Sequence, residues 1–370
     1  MDRRAIFIAA SVIVAVHVLL VILLVLPGCN ADGSKKPSAP QNSSWNIPEP
    51  EQEQEETEAD GPAEQNISAA RPSPAVVRQV RQEKLYRPQQ YRALRTAGAK
   101  QGLKSIPGSP ALSKLSVKNV TGILIDLDSR RVLWQHQADK VVPVASLTKL
   151  MTLLLAYENT LDPRSGFTLE TPVRITREAR VVPPSGVAFK PAETSFPLEK
   201  LMIASAVRSA NDAAYLIAQS MGGGSAENFV RQMNRKAKEL GMHDTTFYNP
   251  HGLPGKPDRK PDNSSTVKDI ARLCEAYIHY PQLREWSGSV TGSFRTKNDL
   301  SSHNHLLPGK RTPCKGVCGL KTGFTNNAGF CVAALCKRNG RTLLAVVTGF
   351  GARKERDEYV RNLLNWGYTR

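Results

Sequence analysis

Apolar and polar positions divide the chain into three stretches. From Ala5 to Leu26 every residue is apolar except Ser11 and His17. Between about residue 30 and residue 115 apolar runs are scarce and Pro, Gln, Glu, Ser and Ala dominate, too little apolar surface to offset ordering entropy. From about residue 116 onward apolar positions recur at the intervals of strands and helices. GILIDLDSRRVLWQHQAD alternates around Asp128-Ser129-Arg130 and predicts a β-hairpin. VASLTKLMTLLLAY, Val144 to Tyr157, predicts a helix apolar nearly all round, and helices are also predicted at Pro197 to Ser205, Asp212 to Met221, Ala226 to Leu240 and Thr266 to Tyr280. Strands follow at Ser289 to Thr296, Val317 to Thr322, Gly329 to Cys336 and Thr342 to Gly349, with a last helix at Glu355 to Trp366. Early strands, a central helical block and late strands predict an α/β (α+β) domain: one antiparallel sheet built from both ends of the stretch, flanked by helices, with a helical lobe beside it. Clefts between two such lobes commonly hold active sites.

The first apolar run follows Asp2-Arg3-Arg4, and its length of about 22 residues suits a membrane span with a basic cytoplasmic end better than a cleavable signal core. LPGC at Leu26 to Cys29 also resembles a lipobox that would lipidate Cys29, and an ordinary cleaved signal is the third reading. On all three, residues 1–29 are an export or anchoring segment, 30–115 a disordered tether and 116–370 the folded domain outside the cytoplasm. Net charge of +17 would otherwise raise nucleic-acid binding, which export removes; anionic envelope polymers or a membrane surface are the acidic partners left. Within the tether an acidic run, Glu49 to Asp60, precedes a basic one, Arg71 to Arg95. Of six cysteines, Cys274 reads as a buried thiol, Cys314 and Cys318 as a pair able to close a small disulfide loop, and Cys331 and Cys336 as facing opposite sides of one strand. The scattered histidines supply no four convergent ligands, so neither a metal nor another cofactor is expected.

Ser-x-x-Lys occurs twice, about the number chance allows. In Ser265-Thr-Val-Lys268, Lys268, Arg272, Glu275 and His279 form a polar stripe opposite Val267, Ile270, Cys274, Tyr277 and Ile278, and Thr266 with Asp269 resembles a helix cap, so this copy is read as structural. In Ser146-Leu-Thr-Lys149 the lysine is the only charge before Glu158, on a helix whose weakly polar side is Thr148 and Thr152. Burial lowers a lysine pKa, and one helical turn brings its amine to the serine hydroxyl, which it can activate as a nucleophile. Pro143 favours a helix start just behind it, placing the Ser146 N–H among the unpaired donors that can stabilise an oxyanion. Alone, the pair reads more simply as a capping serine and a snorkelling lysine.

Two further fragments change that reading: Ser209-Ala210-Asn211 and Lys321-Thr322-Gly323. With them the chain resembles the penicillin-recognising serine enzymes, and PVASLTKLMT, RSANDAA, the NPHGLP turn and GLKTGFTNNAGFCVAA are most similar to the serine-type D-alanyl-D-alanine carboxypeptidases, the low-molecular-mass penicillin-binding proteins, over about Asn119 to Tyr368. The resemblance implies a β-lactamase/transpeptidase-like fold and peptidoglycan stem peptides as substrates, with β-lactams as inhibitors. It implies Ser146 as nucleophile, Lys149 as general base and Ser209 as a proton relay. Asn211 would bind the substrate amide, Lys321 supply positive potential, Thr322 bind the terminal carboxylate, Gly323 permit close approach, and the Phe324 N–H complete the oxyanion hole. Ser302-His303-Asn304-His305-Leu306-Leu307 departs from the family's usual Asn-x-Asn-x-Leu-Leu, and two loop histidines read as solvated. Many relatives carry a C-terminal anchor; with Arg370 the last residue here, anchoring to the membrane is expected at the N-terminus. A class A β-lactamase would need a Glu-x-x-x-Asn loop that is not found. A D-alanyl endopeptidase shares all three motifs and stays open, and an inactive envelope scaffold is the alternative from another class.

Overall fold

The computed structural model describes residues 84–87, 93–106, 120–183, 185–255 and 261–370. The run 5–26, Cys29 and most of the tether lie outside them. Among the described residues no helix is long and apolar enough to cross a membrane.

The hairpin forms as the alternation predicts, β2 (Thr121–Asp126) against β3 (Arg131–His136). Late in the chain come β4 (Val317–Thr325), β5 (Gly329–Arg338) and β6 (Arg341–Phe350). The two ends meet where β6 pairs antiparallel with β2, Val346 opposite Ile123, and with a first strand β1 (Lys100–Gln101) the sheet order is β1-β3-β2-β6-β5-β4. β1 is the one parallel strand, laid along the outer edge of β3.

That edge strand corrects part of the tether expected at 30–115. Leu103 and Ile106 are buried in the core, the Trp134 indole donates to the Gly102 carbonyl at 2.9 Å, and the Tyr359 hydroxyl to the Leu103 carbonyl at 2.9 Å. The segment carries just enough apolar anchors to cover an otherwise unpaired sheet edge.

Both sheet faces are covered, so β6 reads as a continuous apolar run whose alternate residues enter two different cores. Leu343, Ala345 and Val347 join one with Tyr359, Val360, Leu363 and Leu364 of the last helix, α7 (Arg353–Gly367). Leu344 and Val346 join the other with α1 (Lys149–Leu161), α2 (Leu198–Val207), α3 (Asn211–Met221), α4 (Ala226–Glu239) and α5 (Val267–Ile278). Cys331 and Cys336 fall in opposite cores, as their five-residue spacing requires.

Three expectations change. The strand at Ser289 to Thr296 shrinks to Thr291–Gly292, because Asp299 accepts from the Phe294 and Arg295 amides at 2.7 and 2.9 Å and turns the chain away. A helix the hydrophobic pattern did not suggest, α6 (Pro281–Gly288), precedes it and packs on β4. Cys314 and Cys318 are both free thiols, Cys314 buried and Cys318 exposed.

Candidate active site

Pro143 ends a two-residue strand, Ala145 turns the chain with φ +46°, and one 3-10 turn, Ala145–Thr148, leads into α1. A non-glycine residue at positive φ is costly and is held only where its surroundings fix it. Here the turn presents Ser146, and Lys149 reaches back along the helix. The Lys149 amine is fully buried, with Nζ 2.9 Å from Ser146 Oγ, 2.6 Å from Asn211 Oδ1 and 2.7 Å from the His251 carbonyl. Its pKa is held well below that of a free lysine, by burial first and by the charge of Lys321 second, with Asp212 pulling the other way.

The polar side of α1, Thr148 and Thr152, faces protein and docks the NPHGLP turn. Thr152 Oγ1 donates to the Pro250 carbonyl at 2.6 Å, and Thr148 Oγ1 accepts from Asn263 Nδ2 at 2.9 Å. Asn263 also donates to the Asn249 carbonyl at 2.8 Å, while Asn249 Oδ1 accepts from the His251 and Gly252 amides at 3.2 and 2.6 Å. These bonds aim the His251 carbonyl at Lys149. The His251 ring is pushed down to about 3, by burial and then by the Lys149 charge, so it stays neutral. Gly252 has φ +85°, and a β-carbon there would stand 1.9 Å from the Ala145 carbonyl oxygen.

Ser209 sits at φ +63° just before α3 and is nearly buried. Among the described residues no hydrogen bond joins its hydroxyl to Ser146, Lys149 or Lys321. Asn211 opens α3, and its neighbour Asp212 gathers the amides of Val187, Ala188 and Ala213 at 3.1, 2.9 and 2.7 Å. Arg295 takes the Val187 and Ala188 carbonyls at 2.9 and 3.1 Å, so both sides of that loop are clamped beside the site. Burial raises the Asp212 pKa against those amide hydrogen bonds.

Lys321, Thr322, Gly323 and Phe324 run along β4, the edge strand. A β-carbon on Gly323 would lie 3.0 Å from the Ser146 nitrogen, which brings the third motif against the first. Lys321 is buried, donates to the Thr322 carbonyl at 2.9 Å, and is pushed down to about 7 by burial and then by Arg356. Phe324 stacks on Phe330 across the hairpin, centroids 4.2 Å apart. His303 is half-buried rather than solvated as expected, and burial followed by the charge of Lys321 pushes it down to about 3.

The second Ser-x-x-Lys stays outside this cluster. Ser265 is buried in a bond of 2.7 Å with Thr245, Thr266 caps α5 through the Asp269 amide at 3.1 Å, and Lys268 pairs with Asp139 at 2.6 Å. Its stripe is less solvated than expected, since Glu275 pairs with Arg130 at 2.6 Å in a largely buried contact. Sequence reasoning missed the His251 carbonyl, Asn249, Asn263 and Asp212; the Asn-Pro-x-Gly turn was the available signal for the first two. Among the described residues no His, Cys, Asp and Glu cluster is arranged to hold a metal ion.

The domain that carries this site resembles known proteins. The family model for D-alanyl-D-alanine carboxypeptidases matches residues 109–352. The chain is 31% identical over 261 residues to D-alanyl-D-alanine carboxypeptidase DacF of Bacillus subtilis, covering 70% of this chain and 64% of that protein. It is 32% identical over 239 residues to the D-alanyl-D-alanine endopeptidase of Pseudomonas aeruginosa, covering 62% of this chain and 71% of the other. Among solved structures it resembles ampicillin-bound penicillin-binding protein D2 of Listeria monocytogenes, with TM-score 0.59 and 28% identity over 67% of this chain and 96% of that one. It also resembles a D-alanyl-D-alanine carboxypeptidase of Mycobacterium tuberculosis, with TM-score 0.60 and 26% identity over 74% and 95%. The chain belongs to the D-alanyl-D-alanine carboxypeptidase family of serine peptidases.

Proposed function

We propose that the protein is a serine carboxypeptidase that removes the terminal D-alanine of peptidoglycan stem peptides through an acyl-enzyme on Ser146, and that β-lactams acylate the same hydroxyl. The observation that carries this is the set of partners around the Lys149 amine. Asn211 Oδ1 and the His251 carbonyl are acceptors only, whereas the third partner, Ser146 Oγ, can donate. A neutral amine has two N–H donors and one lone pair, and this shell matches it. In that state the two hydrogens go to the acceptors and the lone pair takes the serine proton, whereas the ammonium form donates to all three oxygens. When the lysine is charged, the serine proton can turn instead to the His251 carbonyl, 3.4 Å from Oγ.

In the forward reaction Lys149 takes the Ser146 proton as Oγ attacks the carbonyl between the two D-alanines. The developing oxyanion is met by the Ser146 and Phe324 amides, with Gly323 leaving room for the approach. Lys321 and Thr322 hold the terminal carboxylate, and Asn211 the substrate amide. Ser209 passes the proton from Lys149 to the departing D-alanine nitrogen. Water, deprotonated by the same lysine, then hydrolyses the ester and frees Ser146. Residues 1–29 anchor the domain outside the cytoplasm at the membrane, where cross-linked peptidoglycan is its surroundings.

A second reading, cleavage of D-alanyl cross-links, is favoured by similarity to named endopeptidases, 32% and 29% identical. Incubating the protein with pentapeptide monomers and cross-linked dimers, with products resolved by mass spectrometry, separates the two. Free D-alanine with dimers intact supports the carboxypeptidase. Dimer cleavage without D-alanine release from monomers overturns it in favour of the endopeptidase.

A further inference from the structure

We propose that Cys314 and Cys336 are a redox pair that closes into a disulfide, tying the lead-in of β4 to the end of β5. Five described cysteines are free, and two of them, Cys314 and Cys336, lie within the core under α7 and meet the same pair of groups, the Lys315 carbonyl and the Arg338 side chain that donates to it. The approach is built by the backbone. Val317 pairs with Cys336 in the sheet, and the chain before it folds back so that the Val317 amide donates to the Cys314 carbonyl at 3.0 Å. The Lys315 carbonyl then accepts from Cys336 Sγ at 3.3 Å and from Arg338 Nε at 2.7 Å. Arg338 Nη2 lies 3.2 Å from Cys314 Sγ, and its guanidinium is 4.5 Å from the centre of the Tyr368 ring.

This cradle suits thiol–disulfide exchange. Hydrogen bonding from Cys314 holds the Cys336 thiol at about 7, with Tyr368 and Arg338 adding to the effect against burial, while Cys314 is pushed up. A lowered pKa favours the Cys336 thiolate, which is the attacking species. Cys318, three residues before Lys321, differs: it is exposed, and its Sγ meets the Leu335 carbonyl at 3.7 Å. The pair read from sequence spacing, Cys314 with Cys318, is therefore the wrong one.

The oxidant is a disulfide, either glutathione disulfide or the disulfide form of a thiol oxidoreductase. Cys336 thiolate attacks one of its sulfurs, forming a mixed disulfide and releasing one thiol. Cys314 gives up its proton and attacks Cys336 Sγ, and the second thiol leaves. Two electrons and two protons pass from the pair to the oxidant's S–S bond. Because both sulfurs are buried, the exchange belongs to folding or to local opening of the β4–β5 hairpin. The link braces the strand carrying Lys321, Thr322 and Gly323, and its chemistry does not depend on the proposed reaction.

The test refolds the full chain in a glutathione and glutathione disulfide buffer, blocks remaining thiols with iodoacetamide, and maps peptides by mass spectrometry. The expected result is a Cys314–Cys336 linked peptide pair, lighter by two hydrogens, with Cys274, Cys318 and Cys331 alkylated. Cys318→Ser should retain the link. Reducing the refolded protein should lower its melting temperature by about 5 °C or more. Alkylation of both Cys314 and Cys336, or a link from either to Cys318, overturns the pairing; an unchanged melting temperature in the linked protein overturns the bracing role.

Discussion

Gly252→Ala tests whether the NPHGLP turn sets the reacting geometry. The residue lies at φ +85°, and an alanine β-carbon would meet the Ala145 carbonyl oxygen at 1.9 Å, its carbon at 2.4 Å and the Ser146 nitrogen at 3.0 Å. Those are backbone atoms of the turn that presents the serine, so no side-chain rotation relieves the contact. Gly309 supplies a control, with φ +76° and nothing within 4 Å of its would-be β-carbon. Both alanines bear a left-handed backbone penalty of about 1 kcal/mol. Only the one at 252 adds overpacking, about 1–3 kcal/mol, for a total of about 2–4 kcal/mol. For a domain of this size that corresponds to a melting temperature lower by roughly 4–16 °C, against roughly 2–4 °C for Gly309→Ala. Relief by moving the turn would carry the His251 carbonyl away from Lys149, and a displacement of about 1 Å at a reacting centre costs about a hundredfold in rate. The assay is the second-order rate of labelling by fluorescent penicillin beside thermal unfolding. If Gly252→Ala labels within twofold of the wild type and melts no lower than Gly309→Ala, the turn does not position Ser146 and Lys149.

Asn263→Ala removes bonds to Thr148 and Asn249 and strands the Tyr248 amide now donating to Oδ1 at 2.7 Å, so denaturant unfolding should show a loss of about 2–4 kcal/mol, with slower labelling. Ser265→Ala removes the bonds to Thr245 and to the Thr266 carbonyl, which should cost about 1–2 kcal/mol and leave the labelling rate unchanged. For the free enzyme, kcat/KM for D-alanine release should rise as Lys149 loses its proton below the usual lysine range and fall as Lys321 loses its charge near about 7; Lys321→Arg should move the falling limb to higher pH. Folded Lys321 titrates near about 7 against an ordinary 10.5, so between those values the unfolded chain binds more protons and stability from this residue rises with pH. Its burial penalty is full below about 7, and Lys321→Met should flatten that rise in urea unfolding curves taken from pH 7 to 10.

Much of the sheet and helical lobe was legible because period and burial agree. β5 and β6 are apolar throughout since both faces are covered, and α1 is apolar nearly all round since it lies inside the lobe. The meeting of Lys149 with Ser146 was legible because a charge in such a helix needs a partner, and one helical turn separates the two residues. The amine's third partner was not, since a backbone carbonyl has no residue type; His251 enters the site through its main chain. Thr148 and Thr152 read only as a weakly polar side of a buried helix, since the residue types do not say which turn docks on them. The strap at 93–106 was hidden because a two-residue strand leaves no periodicity, and only Leu103 and Ile106 mark its burial. His303 shows the converse limit, because proximity to Lys321 comes from a fold contact that loop composition does not encode.

The most direct test of the account is to treat the folded protein with benzylpenicillin, digest it and sequence the modified peptide by mass spectrometry. The account predicts one stoichiometric adduct on Ser146, absent from a Ser146→Ala variant that melts like the wild type. A folded protein carrying no adduct, or one modified at Ser209 or Ser265 instead, would contradict it.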